Sequence, residues 1–336
     1  MLIQRPAAPF YVQFELTFAC NHHCFFCYNE MGKKTAGELS FNDIKNILDQ
    51  LQIAGVYSIN FNGGEPLLRK DFYEIARYAH GLGFDLHLNS NGTLIGEREA
   101  IEIAKYFPSV CVSVLSSDPE KHDRLTGCSG AFADVSRGIE QLLKQNVKVE
   151  INVCTFKNNY RELYDIARLF AREGVHVFCV TRYILSNPAE KGSLLGKEET
   201  IEVLELLEKI SDDFPTYKEV KLPGPVPYCE LSPEYTKKLK TWNTPCQVGY
   251  GLCRISPIGV VTPCPLSEDV IGDLRNSSFI EIWNSPGWIR YAQCEHLTQS
   301  CIQCKELPSC RGGCVGYDGA LEKAGLTPDT EKWRLG

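Results

Sequence analysis

Three cysteines near the start of the chain, in Cys20-Asn21-His22-His23-Cys24-Phe25-Phe26-Cys27, are the residues whose type and spacing best suit chemistry. A four-iron cluster takes four thiolates, so a loop that offers three leaves one iron able to bind another group. The competing reading is zinc, or three unrelated thiols. Zinc sites assemble four ligands, usually from paired CxxC units, and here a fourth would have to come from far along the chain. The run before the thiols, Tyr11-Val12-Gln13-Phe14-Glu15-Leu16-Thr17-Phe18, reads as a buried strand, which sets them on the loop leaving its C-terminal end. Parallel α/β folds place their ligands at that end.

A second motif, Asn62-Gly63-Gly64-Glu65-Pro66, follows a second strand. Paired glycines let backbone approach a ligand with no Cβ in the way, and a carboxylate beside them can accept from an ammonium group. The elements that must carry both motifs alternate. Strands are expected at 57–61, 84–88, 110–114, 147–153 and 175–181. Helices are expected after Ser40, with Ile44, Ile47, Leu48 and Leu51 at helical spacing, and at 70–82, 97–106, 135–144 and 160–172. Six strands separated by helices imply a parallel sheet with right-handed crossovers. Periodicity does not separate a barrel from a doubly wound sheet. Cys111, Cys154 and Cys179 fall in apolar strand patterns and read as small core residues, and His22 and His23 read as solvent-facing loop residues.

At 336 residues the chain has room for one large domain and a smaller appendage. A net charge of -7 and the lack of a strongly basic run argue against nucleic acid as a partner. No apolar stretch reaches membrane-spanning length, and Met1-Leu2-Ile3-Gln4-Arg5-Pro6 lacks the shape of a signal peptide, so the expectation is no membrane and a cytoplasmic address. Sixteen cysteines could form disulfides, but that framework belongs to short secreted chains. Eight of them lie between Cys246 and Cys314, which favours metal.

The Pro-rich stretch Leu222-Pro223-Gly224-Pro225-Val226-Pro227 reads as a linker or wrapping segment. The cysteines beyond it fall in two groups. The first is Cys246, Cys253 and Cys264, with Gly259 five residues before the last; the second is Cys301-x2-Cys304-x5-Cys310-x3-Cys314.

The thiol loop followed, one strand later, by Gly-Gly-Glu-Pro resembles the radical S-adenosylmethionine (SAM) enzymes, and the C-terminal cysteine pattern resembles their SPASM domain. The resemblance implies an α/β fold: a partial (β/α)6 TIM-like barrel over 1–212, a linker over 213–245, a small SPASM domain over 246–320 and a tail over 321–336. It implies a [4Fe-4S] cluster on Cys20, Cys24 and Cys27 whose open iron chelates SAM. Gly63, Gly64, Glu65 and Pro66 would meet the amino group of SAM, Phe26 the adenine, Asn91 the ribose, and Ser113 a further contact. The segment His122-Asp123-Arg124-Leu125-Thr126-Gly127 resembles one found in peptide-modifying members, and Arg124 is a candidate for the SAM carboxylate. One or two auxiliary [4Fe-4S] clusters are implied, on Cys246, Cys253, Cys264 and Cys314, and on Cys301, Cys304 and Cys310. No cysteine follows Cys314, so the second lacks its usual fourth thiol; Cys294, Asp318, a distant residue such as Cys229, or nothing could stand there.

The implied reaction is reductive cleavage of SAM to a 5′-deoxyadenosyl radical, which takes hydrogen from an unactivated carbon. The leading expectation is oxidative maturation of a ribosomally made peptide, giving a thioether, a carbon–carbon link or a similar product. The alternative is oxidation or decarboxylation of a small metabolite, such as a tetrapyrrole side chain or an aminoglycoside. A non-catalytic iron–sulfur electron carrier is a reading of another class. Implied partners are the peptide or small-molecule substrate and an electron donor such as flavodoxin or ferredoxin. Because the first strand begins near residue 10, a separate leader-binding protein is expected for a peptide substrate.

Overall fold

The computed structural model describes residues 5–29, 37–184, 188–293, 295, 297 and 299–314. Seven strands follow one another across a parallel sheet: β1 (Tyr11–Glu15), β2 (Ser58–Asn62), β3 (Asp85–Ser90), β4 (Ser109–Ser113), β5 (Lys148–Thr155), β6 (Val177–Arg182) and β7 (Glu219–Pro223). The helices between them are α1 (Phe41–Ala54), α2 (Phe72–Gly81), α3 (Glu97–Ala104), α4 (Pro119–Thr126), α5 (Ala131–Lys144), α6 (Leu163–Glu173) and α7 (Lys197–Asp213). Local sequence explains their ends. Ser40 and Asp43 form a reciprocal capping box at the start of α1, and Gly55 ends it in the left-handed conformation.

The strands alternate in a way that fixes which face does what. Val12, Phe14, Ile59, Phe61, Val110, Val112, Val149 and Ile151 turn outward into one core with the helices' apolar faces, including Ile44, Leu48 and Leu51 of α1. The opposite face carries Tyr11, Gln13, Asn60, Cys111, Glu150 and Lys221. Residues of β1 and β7 line the same cavity although five strands separate them in the sheet, so the sheet curls into a partial barrel.

The stretch read as a linker carries β7. Glu219-Val220-Lys221-Leu222 pairs in parallel with β6, and the prolines interrupt pairing only from its last position. A two-residue strand, β8 (Asn243–Thr244), extends that edge. At the other edge β9 (Leu252–Ile255) pairs in parallel with β1, followed by antiparallel β10 (Val260–Thr262) and β11 (Gly272–Asp273). The cysteine-rich region thus continues the barrel sheet. Arg254 of β9 pairs with the fully buried carboxylate of Glu15 on β1, fixing the join. Among the described residues no helix is long and apolar enough to cross a membrane.

Candidate active site

The loops leaving β1, β2 and β3 are tied to one another before any ligand is considered. Gly64 N–H donates to Thr17 O and Glu65 N–H to Ala19 O, each at 2.7 Å, which lays the Gly-Gly turn along the chain entering the thiol loop. A Cβ on Gly64 would stand 2.0 Å from Ala19 O, and one on Gly63 2.6 Å from Thr17 O. The glycines are therefore demanded by backbone packed on backbone, a reason that the ligand-approach argument did not supply. Glu65 is fully buried behind this turn and does not face the cavity. Its carboxylate accepts from Ser90 Oγ (2.9 Å), Asn91 N–H (2.8 Å) and Leu67 N–H (3.2 Å). Burial raises its pKa to about 7 against the pull of those three donors. Asn91 continues the chain of contacts through its Nδ2 to Asn21 Oδ1 at 2.7 Å, inside the thiol loop. Pro66, also buried, starts the helical turn after Glu65.

On the other side the thiol loop rests on the end of α4. His23 N–H donates to Thr126 O at 2.8 Å, and the left-handed Gly127 packs against His23, so the His122–Gly127 segment serves as a seat for the cysteines. Arg124 is exposed and faces Glu120. His22 corrects a sequence expectation: only 4% exposed, it is enclosed by the same packing.

A cavity of roughly 680 Å³ opens from this loop into the barrel. Cys20, Cys24, Cys27, Phe26, Gly63, Gly64, Asn91 and Ser113 line it where β1 to β4 end, and Cys246, Cys264 and Cys314 line it too, the β1–β9–β10 register setting Cys264 near the level of the start of β1. Phe26 also stacks on Phe156, with ring centroids 5.8 Å apart, so it serves core and cavity together. Cys154 lines the cavity, and Cys111 and Cys179 line the polar barrel interior beside Glu150 and Lys221. The small-core reading holds for Cys179, which is buried, and for Cys154, which packs against Leu115, Phe156 and Tyr183; Cys111 is the one that serves the concave face alone.

The thiols sort themselves by mutual influence. Burial first, then the neighbouring Cys27 and Cys20, push the Cys24 thiol up; burial and Cys20 take Cys27 to about 11. Cys264 is raised by burial and then by Cys314 and Cys246, and Cys310 by burial with smaller contributions from Cys301 and Cys304. Clustered thiols that hinder one another's ionisation become thiolates when cationic iron sits among them. Among the described residues no three His, Cys, Asp or Glu side chains converge on a single ion. A cube asks for something wider, since each thiolate meets its own iron. Gln13 Oε1, Asn62 Oδ1 and His22 Nε2 are buried on the cavity wall without a hydrogen-bond partner among the described residues, which suits a polar cosubstrate. The residues fit the implied cluster and SAM.

Cys253 does not join its expected group. It lies in β9 opposite Val12, fully buried in the helix-facing core, and only burial raises its thiol. Its neighbour Leu252 is the residue that reaches the cavity. Cys301, Cys304 and Cys310 stand apart from the cavity. Tyr228 N–H donates to Cys310 Sγ at 3.4 Å and the Tyr228 hydroxyl to Ser309 O; Cys229, the next residue in the chain, is exposed. Cys294 and Asp318, the other candidates, lie outside the described residues.

Residues 14–170 match the radical SAM superfamily, and residues 246–311 match the SPASM iron–sulfur cluster-binding domain. The chain belongs to the radical SAM superfamily, in the branch that carries this second domain; it is an enzyme that uses SAM and a [4Fe-4S] cluster, with auxiliary iron–sulfur sites. It is 31% identical over 323 residues to the AdoMet-dependent heme synthase of Oleidesulfovibrio alaskensis, covering 90% of this chain and 81% of that one. It is 29% identical to mycofactocin maturase MftC of Mycobacterium ulcerans, covering 92% and 83%. Among solved structures, Streptococcus suis SuiB bound to S-adenosylmethionine superposes with a TM-score of 0.75 at 19% identity, covering 92% of this chain and 74% of that one.

Proposed function

We propose that this enzyme oxidatively modifies a ribosomally made peptide in the cytoplasm, drawing electrons from a flavodoxin or ferredoxin. In this reading Cys20, Cys24 and Cys27 hold the SAM-binding cluster. Gly63, Gly64, Asn91, Ser113 and Phe26 form the walls for SAM, and Glu65 and Pro66 hold those walls in register. When bound, the cluster and SAM supply a 5′-deoxyadenosyl radical that removes hydrogen from an unactivated carbon. The chain's own task is to hold that carbon in the cavity and keep water away from it.

The observation that carries the peptide reading is the cavity lining. Among the described residues that line it there is no carboxylate, and the only Lys or Arg is Arg182, whose guanidinium donates to Pro225 O. Such a wall suits apolar peptide side chains. The similarity to a mycofactocin maturase supports the same reading. The similarity to a heme synthase favours a second, oxidation of a tetrapyrrole side chain. Tetrapyrrole propionates call for several cations, and one arginine is a poor match. Incubation of the reconstituted enzyme with SAM, reductant and either precursor peptides or tetrapyrroles tests this. Loss of hydrogen from a peptide is expected; turnover with a tetrapyrrole alone overturns the proposal.

Cys246, Cys264 and Cys314 are proposed to hold the first auxiliary cluster, and Cys301, Cys304 and Cys310 the second, with Cys229 as its fourth ligand. The contact between Tyr228 and Cys310 supports Cys229. Replacement of Cys229 by Ala is expected to lower bound iron by up to about four atoms per chain, whereas Cys128→Ala, in the loop between α4 and α5 and outside all three thiol groups, leaves it unchanged.

A further inference from the structure

The inside of a closed parallel barrel is ordinarily filled by layers of branched apolar side chains. The floor of this partial barrel is filled differently. A second cavity, of roughly 620 Å³, lies there, and the concave face presents Gln13, Asn60, Cys111, Glu150, Cys179 and Lys221 to it. Short amides and thiols leave room that valine or leucine would take. Asn60, Cys111 and Glu150 each stand two residues before Asn62, Ser113 and Asn152, which line the first cavity. Two strand residues at about 3.3 Å each put the floor on the order of 7 Å beneath that chamber. The two spaces are continuous, since Tyr11, Gln13, Asn89, Asn152 and Thr181 line both.

The floor is rich in acceptors. The Lys221 ammonium stands 2.9 Å from Glu150 and 3.5 Å from Glu219, so one cation serves two carboxylates. Cys111 and Cys179 add only thiol donors to Glu150; burial, and then Glu150 itself, push both thiols up and keep them protonated. Asn60 is 2% exposed. Its amide and that of Gln13 hydrogen-bond to the Tyr11 hydroxyl. Asn60 Oδ1 and Gln13 Oε1 are then left buried with no donor among the described residues. Thr181 Oγ1 does not serve them, because it donates to Asn152 Oδ1 at 3.2 Å. Two carbonyl oxygens and a surplus carboxylate are complementary to a group that is positively charged and only donates.

We propose that the barrel floor is a binding subsite for an ammonium or guanidinium group, which faces Asn60, Gln13, Glu150 and Glu219 beneath the SAM chamber. The drop from one chamber to the other suits the stem of a lysine or arginine, whose methylenes pass along apolar surface while the charged head reaches polar groups. Assigning the cation to a side chain of the substrate rests on the peptide reading above and sharpens it: the peptide carries a basic residue near the carbon that loses hydrogen.

Isothermal titration of the full-length, anaerobically reconstituted enzyme with n-butylguanidinium, n-butylammonium and n-butanol tests the subsite without turnover. Saturable binding of both cations, and none of the alcohol, is expected. Asn60→Leu should weaken the cations about tenfold, the loss of one hydrogen bond to a charged group. Glu219→Gln, at a half-exposed position where folding is not at stake, should weaken them about threefold. Lys221→Met frees both carboxylates and should tighten the cations about tenfold or more, a gain that a purely structural lysine would not yield. Cations that bind no better than butanol, or affinities unmoved by both Glu219→Gln and Lys221→Met in proteins with native circular dichroism, overturn the proposal. N-acetyl-arginine N-methylamide separates the sources. Binding at least as tight as that of n-butylguanidinium supports a peptide side chain; exclusion of the capped residue overturns that assignment and leaves a small free amine as the ligand. Failure of precursor peptides to lose hydrogen would not alter these titrations, so the subsite and the peptide reading fail separately.

Discussion

Around Cys20, Cys24 and Cys27 the chain builds its own scaffold: paired backbone hydrogen bonds to the Gly-Gly turn, a buried carboxylate with three donors, and a helix end under the loop. Around Cys246, Cys264, Cys314 and the Cys301–Cys310 group the scaffold is thinner. The strands there have two to four residues and the helices of the last stretch four. Segments that short have little stability of their own. The aromatic packing of Phe279, Trp283 and Trp288, with Arg5 over Trp283, anchors only the middle of the region. One site is shaped by the chain's own hydrogen bonds; the other is expected to depend on metal for its shape.

The comparison breaks most sharply on Cys24. Replacing it by Ala is expected to abolish 5′-deoxyadenosine formation from SAM, whereas Cys304→Ala leaves that cleavage in place; chromatography of the nucleoside product reads both. Next in size is removal of iron. Chelation is expected to open the chain beyond about residue 264 to protease within the time that leaves the barrel intact. Equal loss of both regions on a gel, or of neither, would erase the contrast. Gly64→Ala should cost about 2–4 kcal/mol in denaturant unfolding, because Ala19 O has nowhere to retreat. Gly81→Ala, at a helix end with open space around it, should be neutral or stabilising by up to about 1 kcal/mol. Between those two in size falls Glu65→Gln. It keeps the shape but gives one of three donors an NH2 group to face, at about 1–3 kcal/mol.

Much of this contrast could be read in the sequence, and the unread parts share a cause. Five of the six expected strands fall within two residues of an observed one and the first overruns β1 by three, because valine and isoleucine runs between glycine turns mark buried parallel strands. The thiol loop and the Gly-Gly-Glu-Pro turn were equally visible. Which way a side chain faces was harder. Cys253 shares a phase with Ile255, a period-two signal that was present but masked by a cysteine spacing that suited a ligand. Cys111 looks like a core residue until the sheet is known to curl and its concave face to be polar. Asn21, Thr93 and Ser90, which bind the loops to one another, carry no local signal, because their partners lie 25 to 72 residues away. The seventh strand was hidden by prolines that begin only where it ends.

The central claim is that Cys20, Cys24 and Cys27 present an iron to SAM at one end of a cavity whose other end belongs to a separate thiol set. Electron–nuclear double resonance on the reduced, reconstituted enzyme with SAM labelled with 15N and 13C in its methionine part tests it directly. The account predicts coupling of both nuclei to a cluster, kept in Cys264→Ala and lost in Cys24→Ala. Coupling that survives in Cys24→Ala, or disappears in Cys264→Ala with its remaining iron intact, would contradict it.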